Sequence, residues 1–254
     1  MLNISLRAEE IFSVWGFPVT NAVLLAVFAF ILLAVFAVAL RRRLAMVPGM
    51  LQNIFEMVID GALDLMDSVL GDRTTSEKYL PIVFTVFLFV LISNWLGLLP
   101  GVGSLVINYG GQSVPLLRSP ASDLNFTLSL ALIAVTFINV LGIAAVGFWK
   151  RFSVFFNFHG PIDFFIGILE LISEFAKIIS FSFRLFGNVF AGEVLLAIMA
   201  FLVPYLVPLP FMFLEIFVGF IQAFIFGMLT LVFVAMAIAE HGAEEHETAP
   251  ASAH

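Results

Sequence analysis

The sequence predicts an all-α polytopic membrane protein, a single membrane domain over residues 1–254 with five hydrophobic passages plus one amphipathic interfacial helix. Three observations carry that prediction. Hydrophobic residues make up 62% of the chain and charged residues 11%, whereas a soluble domain is roughly a quarter charged. Apolar runs of about 20 residues, the length that crosses a bilayer as a helix, recur along the chain. Basic residues collect in alternate connections: Arg41-Arg42-Arg43, Arg73 with Lys78, and Lys150-Arg151 form one set, and the other holds only Arg7 and Arg118. The N-terminus is therefore expected outside and the C-terminal tail in the cytoplasm.

In order, residues 1–16 form an outer N-terminal segment and 17–40 the first span. Its basic cluster follows the apolar run instead of preceding it, the reverse of a secretory signal, so the helix is expected to be retained. Residues 48–71 carry Glu56, Asp60, Asp64 and Asp67 at three- to four-residue spacing among apolar neighbours. Such a segment fits an amphipathic helix lying in the cytoplasmic interface, its acids forming a solvated face. Residues 79–99 and 124–149 are spans. Residues 161–203 would extend roughly 65 Å as one helix, about twice the hydrocarbon thickness, and 209–239 also overruns it. No proline interrupts residues 162–203, and Pro204, Pro208 and Pro210 mark a short outer connection, so the pair is expected to form a long, tilted, antiparallel helical hairpin. Residues 240–254, with four acids and little apolar content, form a disordered cytoplasmic tail.

The first hairpin helix carries the chemistry. An arginine at the centre of a span costs about 2.5–3.5 kcal/mol on translocon scales, so Arg184 requires a functional explanation and a partner. At about 100° per residue, Glu170, Ser173, Lys177, Ser180, Arg184 and Asn188 project within about 40° of one line, and Glu193 points roughly the opposite way. Glu215 and Gln222, seven apart, share a face that the hairpin brings near Glu193. Two polar regions result, Glu170 to Ser180 toward the cytoplasm and Glu193 with Glu215 and Gln222 toward the outside, with Arg184 between them. Buried carboxylates can take up and release protons, but guanidinium stays charged and cannot relay them. Arg184 thus reads as a barrier that stabilises an ionised carboxylate, and that carboxylate is expected on another subunit. Without cysteine, disulfides and thiolate sites are excluded. His241, Glu245 and His246 match neither order of the zinc-protease motif, His159 reads as part of a helix start, and no phosphate-binding Gly-rich loop is present. No metal, cofactor, nucleic-acid partner or catalytic chemistry is expected of this chain.

Arg184-Leu185-Phe186-Gly187-Asn188, then Ala191-Gly192-Glu193 and Gln222-Ala223-Phe224-Ile225-Phe226, closely resemble subunit a of the F-type ATP synthase membrane sector, bacterial type. Ser93-Asn94-Trp95-Leu96-Gly97-Leu98-Leu99-Pro100 and Ser122-Asp123-Leu124-Asn125-Phe126-Thr127-Leu128-Ser129 extend the resemblance along the chain. It implies the stator half of a rotary motor, in which two half-channels meet at the arginine and deliver protons to, and collect them from, carboxylates of the subunit c ring. Its further partners would be a subunit b-type peripheral stalk, the remaining ATP synthase subunits and the bilayer of a bacterial inner membrane, with ATP chemistry in a separate head. The resemblance places Arg184 as the essential arginine, Asn188 as its neighbour, and Glu193 and Gln222 in the outer half-channel, with Glu215 where some members have histidine. Glu170, Lys177 and Ser180 match the cytoplasmic half-channel. Several bacterial members have aspartate where this chain has Gly97, and Asp123, Asn125 and Thr127 are expected to make up that polarity at the outer mouth.

Plainer readings stand beside these. Glu193 and Glu215 could share a proton as a structural pair, Lys177 could bind Glu170 or Glu174 at helical spacing, and Asn94, Thr136 and Asn139 are expected to bridge helices. A self-contained ion channel or secondary transporter is the alternative function, though no internal repeat is seen. A passive scaffold would leave Arg184 unexplained.

Overall fold

The computed structural model describes residues 8–14, 17–45, 48–99, 102, 106–109, 112–146, 161–203 and 206–247. Strands β1 (Glu10–Val14) and β2 (Phe17–Thr20) lead into helices α1 (Asn21–Arg43), α2 (Met50–Leu70) and α3 (Arg73–Gly97). Strands β3 (Val106–Tyr109) and β4 (Gln112–Pro115) and a 3-10 turn (Pro120–Ser122) precede α4 (Leu124–Val146), α5 (Pro161–Leu202) and α6 (Pro208–Glu247). The chain is mostly helical. Among the described residues, four helical stretches, Asn21–Arg42, Arg73–Gly97, Phe164–Leu202 and Pro208–Met236, are long and apolar enough to cross a membrane, and Leu124–Val140 is a shorter apolar one.

The sequence reading missed two antiparallel hairpins. Phe17–Thr20, expected inside the first span, pairs with β1, because Val19 and Thr20 are β-branched and Pro18 cannot join a helix interior. Helix α1 starts only at Asn21, where the Thr20 side chain accepts from Val23 N. The second hairpin pairs Val106 with Pro115 and Ile107 with Val114. Asn21, fully buried, ties the two together: its backbone N–H donates to Glu9 O (3.1 Å) and its amide to Pro115 O (3.2 Å).

Helix α3 starts at Arg73, earlier than the expected 79, because Asp72 caps it by accepting from Thr75 N at 3.0 Å. Gly71, at φ 79°, supplies the left-handed turn that reverses the chain out of α2. Three of the α2 acids then converge on Arg73, Asp64 at 2.9 Å, Asp67 at 3.0 Å and Asp60 at 3.3 Å. Each exposed pair alone contributes little, because water screens it. Sharing one guanidinium, they close α2 onto α3, so this face does more than meet solvent. At the other end, α6 continues through Glu247 where a disordered tail was expected from residue 240, a run rich in the helix formers Ala and Glu. Residues 147–160, with Lys150, Arg151 and His159, lie outside the described residues, as do 248–254 and the side chains of His241, Glu245 and His246.

Helices α3, α4, α5 and α6 share one core, with Val90, Ala134, Leu185 and Phe226 among its buried members. In lipid, helices gain little by hiding apolar surface from one another, so packing and interhelical hydrogen bonds must hold them. Close approach is visible at Gly219 and Gly227 of α6, where an added Cβ would lie 3.3 Å from Asn94 Cβ and 3.2 Å from Phe87 Cβ of α3. The Asn94 amide donates to Gly219 O (3.2 Å) and the Trp95 indole to Ile216 O (3.1 Å), bonds of about 0.6 kcal/mol each in membrane proteins. This framework fixes α6 against α3.

Candidate functional site

Arg184 lies midway along α5, on a face open to the surroundings, beside exposed Ser180, Gly187, Asn188 and Ala191. The opposite side of the helix, Phe181, Leu185 and Val189, is buried in the core. One guanidinium nitrogen, Nη2, donates to Ser180 Oγ at 3.3 Å, and among the described residues no carboxylate comes within ion-pair distance of it. An intramembrane cation with no carboxylate partner among the described residues raises the question of what compensates it.

Contacts between α5 and α6 run in reverse order: Phe181 meets Phe226 and Phe233, Asn188 donates to Gln222 Oε1 (2.6 Å), and Gly192 meets Glu215. Beyond Arg184, a cavity of about 260 Å³ is lined by Val189, Glu193 and Leu196 of α5, Glu215 of α6, Asn94 of α3 and Ser119, among others. It is roomy enough for several waters. Asn94 Oδ1, Ser119 Oγ and Glu193 Oε2 are buried without a protein partner, as buried polar atoms are when water completes their bonding. No hydrogen bond joins Glu193 to Glu215. Instead Glu193 Oε1 meets Arg118 Nε at 3.4 Å.

A second cavity, about 240 Å³, meets α5 on the other side of Arg184, lined by Ser173, Lys177, Ser180 and Arg184 itself with Leu229 and Phe233 of α6. Lys177 donates to Glu174 Oε1 (2.8 Å), choosing Glu174 over Glu170, and sits over the Phe233 ring. The Asn139 amide donates to Glu174 Oε2 (3.0 Å), bridging α4 to α5. Glu170 is half-buried and does not line this cavity.

The three residues expected at the outer mouth are not brought together there. Asp123 is buried and Oδ1 accepts from Asn125 N (3.0 Å), a local bond of the kind that starts a helix; Asn125 is exposed; Thr127 shares a hydrogen bond with Ser182 (3.0 Å) inside the core. Asn94 and Asn139 do bridge helices, whereas Thr136 faces outward. Gly97 has a steric reason, since a Cβ there would lie 2.6 Å from Ser119 Cβ, leaving no room for an aspartate. Gly192 is equally constrained, as an added Cβ would overlap the Glu215 carboxylate.

Sequence reasoning missed Arg118 as part of the site, and it named Glu174 only as one of two carboxylates that Lys177 could bind. Glu174 had a readable signal, Lys177 at i+3. For Arg118 the only signal was a cation on the side of the chain where basic residues are otherwise scarce.

Comparison with known proteins agrees with the motifs. The ATP synthase A chain family matches residues 22–235. The chain is 36% identical to ATP synthase subunit a of Helicobacter pylori (strain Shi470) over 238 residues, 91% of this chain and 96% of the relative. It is 37% identical to ATP synthase subunit a of Campylobacter jejuni subsp. jejuni serotype O:23/36 (strain 81-176) over 205 residues, 79% of this chain and 83% of that one. With residues 22–235 matched, a span that holds Arg184, Glu193 and Glu215, the chain belongs to the ATP synthase A chain family.

Proposed function

We propose that the two cavities are the ends of two half-channels, that protons pass from the outer one to carboxylates of a subunit c ring and leave by the cytoplasmic one, and that Arg184 keeps the two apart. The family makes the chain a non-catalytic, proton-translocating membrane-sector subunit of the ATP synthase, with ATP chemistry in the separate head. The observation that carries the finer reading is the division of α5, which meets one cavity, holding Glu193 and Glu215, at residues 189–200 and the other, holding Lys177 and Ser180, at 173–184.

On this reading Glu193 and Glu215 take up protons from the outer side, and Asn188 with Gln222 forms the polar floor next to Arg184. Ser180 and Lys177 line the exit, with Glu170 nearer its cytoplasmic end. Asp123, Asn125 and Thr127 support the outer end structurally. Exposed small and polar residues around Arg184 let a ring helix approach closely, as small residues do at membrane helix contacts. Five passages, α5 and α6 as a tilted hairpin, an outside N-terminus and a bacterial inner membrane complete the arrangement, and a subunit b-type stalk holds the chain against the turning ring.

A self-contained channel would neutralise its own intramembrane arginine, and Arg184 has no internal carboxylate partner among the described residues. The discriminating test is a pH jump across liposomes. The purified chain alone should conduct no more than empty vesicles, and the chain assembled with its ring should conduct. Conduction by the chain alone at the rate of the assembled sector would overturn the motor reading.

Gly192→Ala places a methyl against the Glu215 carboxylate. Overpacking costs about 1–3 kcal/mol, so ATP-driven acidification by the reconstituted complex should fall by about tenfold with assembly intact. An unchanged rate would show that Glu215 can move aside without loss.

A further inference from the structure

We propose that Arg118 is a positioning residue of the outer proton path, anchoring Glu193 by Oε1 so that Oε2 is the oxygen that receives and hands on protons. The inference rests on the outer half-channel reading above. Arg118 stands between β4 and the 3-10 turn, only 8% exposed. A buried cation is costly unless paired, and its Nε meets both Ser122 Oγ (3.1 Å) and Glu193 Oε1 (3.4 Å). Ser122 Oγ in turn donates to Ser119 O (2.9 Å), so the turn itself holds the guanidinium in place.

Guanidinium does not give up its proton, so Arg118 cannot be a relay group, and its effect must run through Glu193. The two oxygens of Glu193 are unequal: Oε1 is fixed by a charge, while Oε2 is buried without a protein partner. The same side chain lines the cavity that Glu215 enters from α6. One anchored and one unpartnered oxygen is what a proton acceptor needs in order to keep its place while its free oxygen exchanges protons with water. The ion pair also balances one of the cavity's two carboxylates, so Glu193 and Glu215 do not face each other as unneutralised like charges.

The test uses the complete complex in liposomes, with the initial rate of ATP-driven acidification and the amount of chain incorporated both measured. Arg118→Gln should lower the rate by about tenfold at normal incorporation, and Arg118→Lys, which keeps the charge, should stay within about threefold. Adding Arg118→Gln to Glu193→Gln should produce no further loss, because the anchor then has nothing to hold. Wild-type pumping by Arg118→Gln, a Lys variant as slow as the Gln variant, or a second tenfold loss in the Glu193→Gln background would each overturn the assignment. If Arg118→Gln does not incorporate, the same cycle is run with Arg118→Lys, and a loss independent of Glu193 overturns it. Wild-type pumping by Glu193→Gln would instead sink the outer half-channel reading itself.

Discussion

Arg184→Ala is expected to lower ATP-driven proton pumping by the reconstituted complex by at least about 100-fold, with the complex still assembled. The magnitude follows from the role proposed for Arg184, compensation of a ring carboxylate. A ring carboxylate that reaches this helix must ionise within the membrane to release its proton, and an uncompensated buried charge costs about 3–5 kcal/mol. Each 1.36 kcal/mol is about a factor of ten in rate, so losing the compensating cation costs about two to three orders of magnitude or more. Arg184→Lys should also fail to restore full pumping, and we expect at least about a tenfold loss. Ammonium is more strongly hydrated and sheds its proton more readily when buried, so it is a poorer fixed cation. A second readout separates charge compensation from insulation. Arg184 lines one cavity and Val189 the other, roughly 7.5 Å apart along the helix, a gap that a few waters can span. Passive proton leak through the ATP-free complex should therefore rise in Arg184→Ala. Near wild-type pumping by that variant would return the chain to the scaffold reading.

The parts of this arrangement that were legible in the sequence are those governed by local periodicity. Long apolar runs specify helices because a chain in lipid must satisfy its own backbone, and the 100° step then places Arg184 and Glu193 on opposite sides of α5 whatever surrounds them. The faces seen in the structure follow that arithmetic, Arg184 outward and Glu193 against Arg118. What was illegible depends on contacts between distant segments. Phe17–Thr20 is apolar enough to read as membrane helix, and its pairing with Glu10–Val14, added to its β-branched residues and Pro18, makes it a strand. Arg118 is a loop cation in sequence, and its bond to Glu193 exists because the 3-10 turn docks on α5. Asp123 failed in the opposite direction: a polar residue near an expected channel mouth looked functional, but a backbone N–H two residues away claims it first. Gly97 shows the same limit, since the sequence records a missing acid and only the packing of Ser119 explains it.

Glu193→Gln combined with Glu215→Gln is expected to reduce pumping by at least about 100-fold, while either change alone costs about tenfold. Both carboxylates line the same cavity, from different helices, and no hydrogen bond fixes a proton between them. On the proposed outer half-channel, waters in a space of about 260 Å³ can connect either one to the outer surface, so each single variant would keep one acid that can collect protons. Glutamine preserves the shape and hydrogen bonding of the site but has no titratable proton, so the double variant leaves the cavity wet and without an acceptor. The losses should therefore compound, in contrast to the Arg118 and Glu193 pair, where the second change adds nothing because the two residues act as one unit. Initial acidification rates of the four complexes, at matched incorporation, measure both behaviours in one series. A double variant no slower than the singles would mean that Glu193 and Glu215 act in sequence on a single obligatory path. A double variant that pumps at the wild-type rate would remove both carboxylates from proton transfer and leave the outer cavity as packing space.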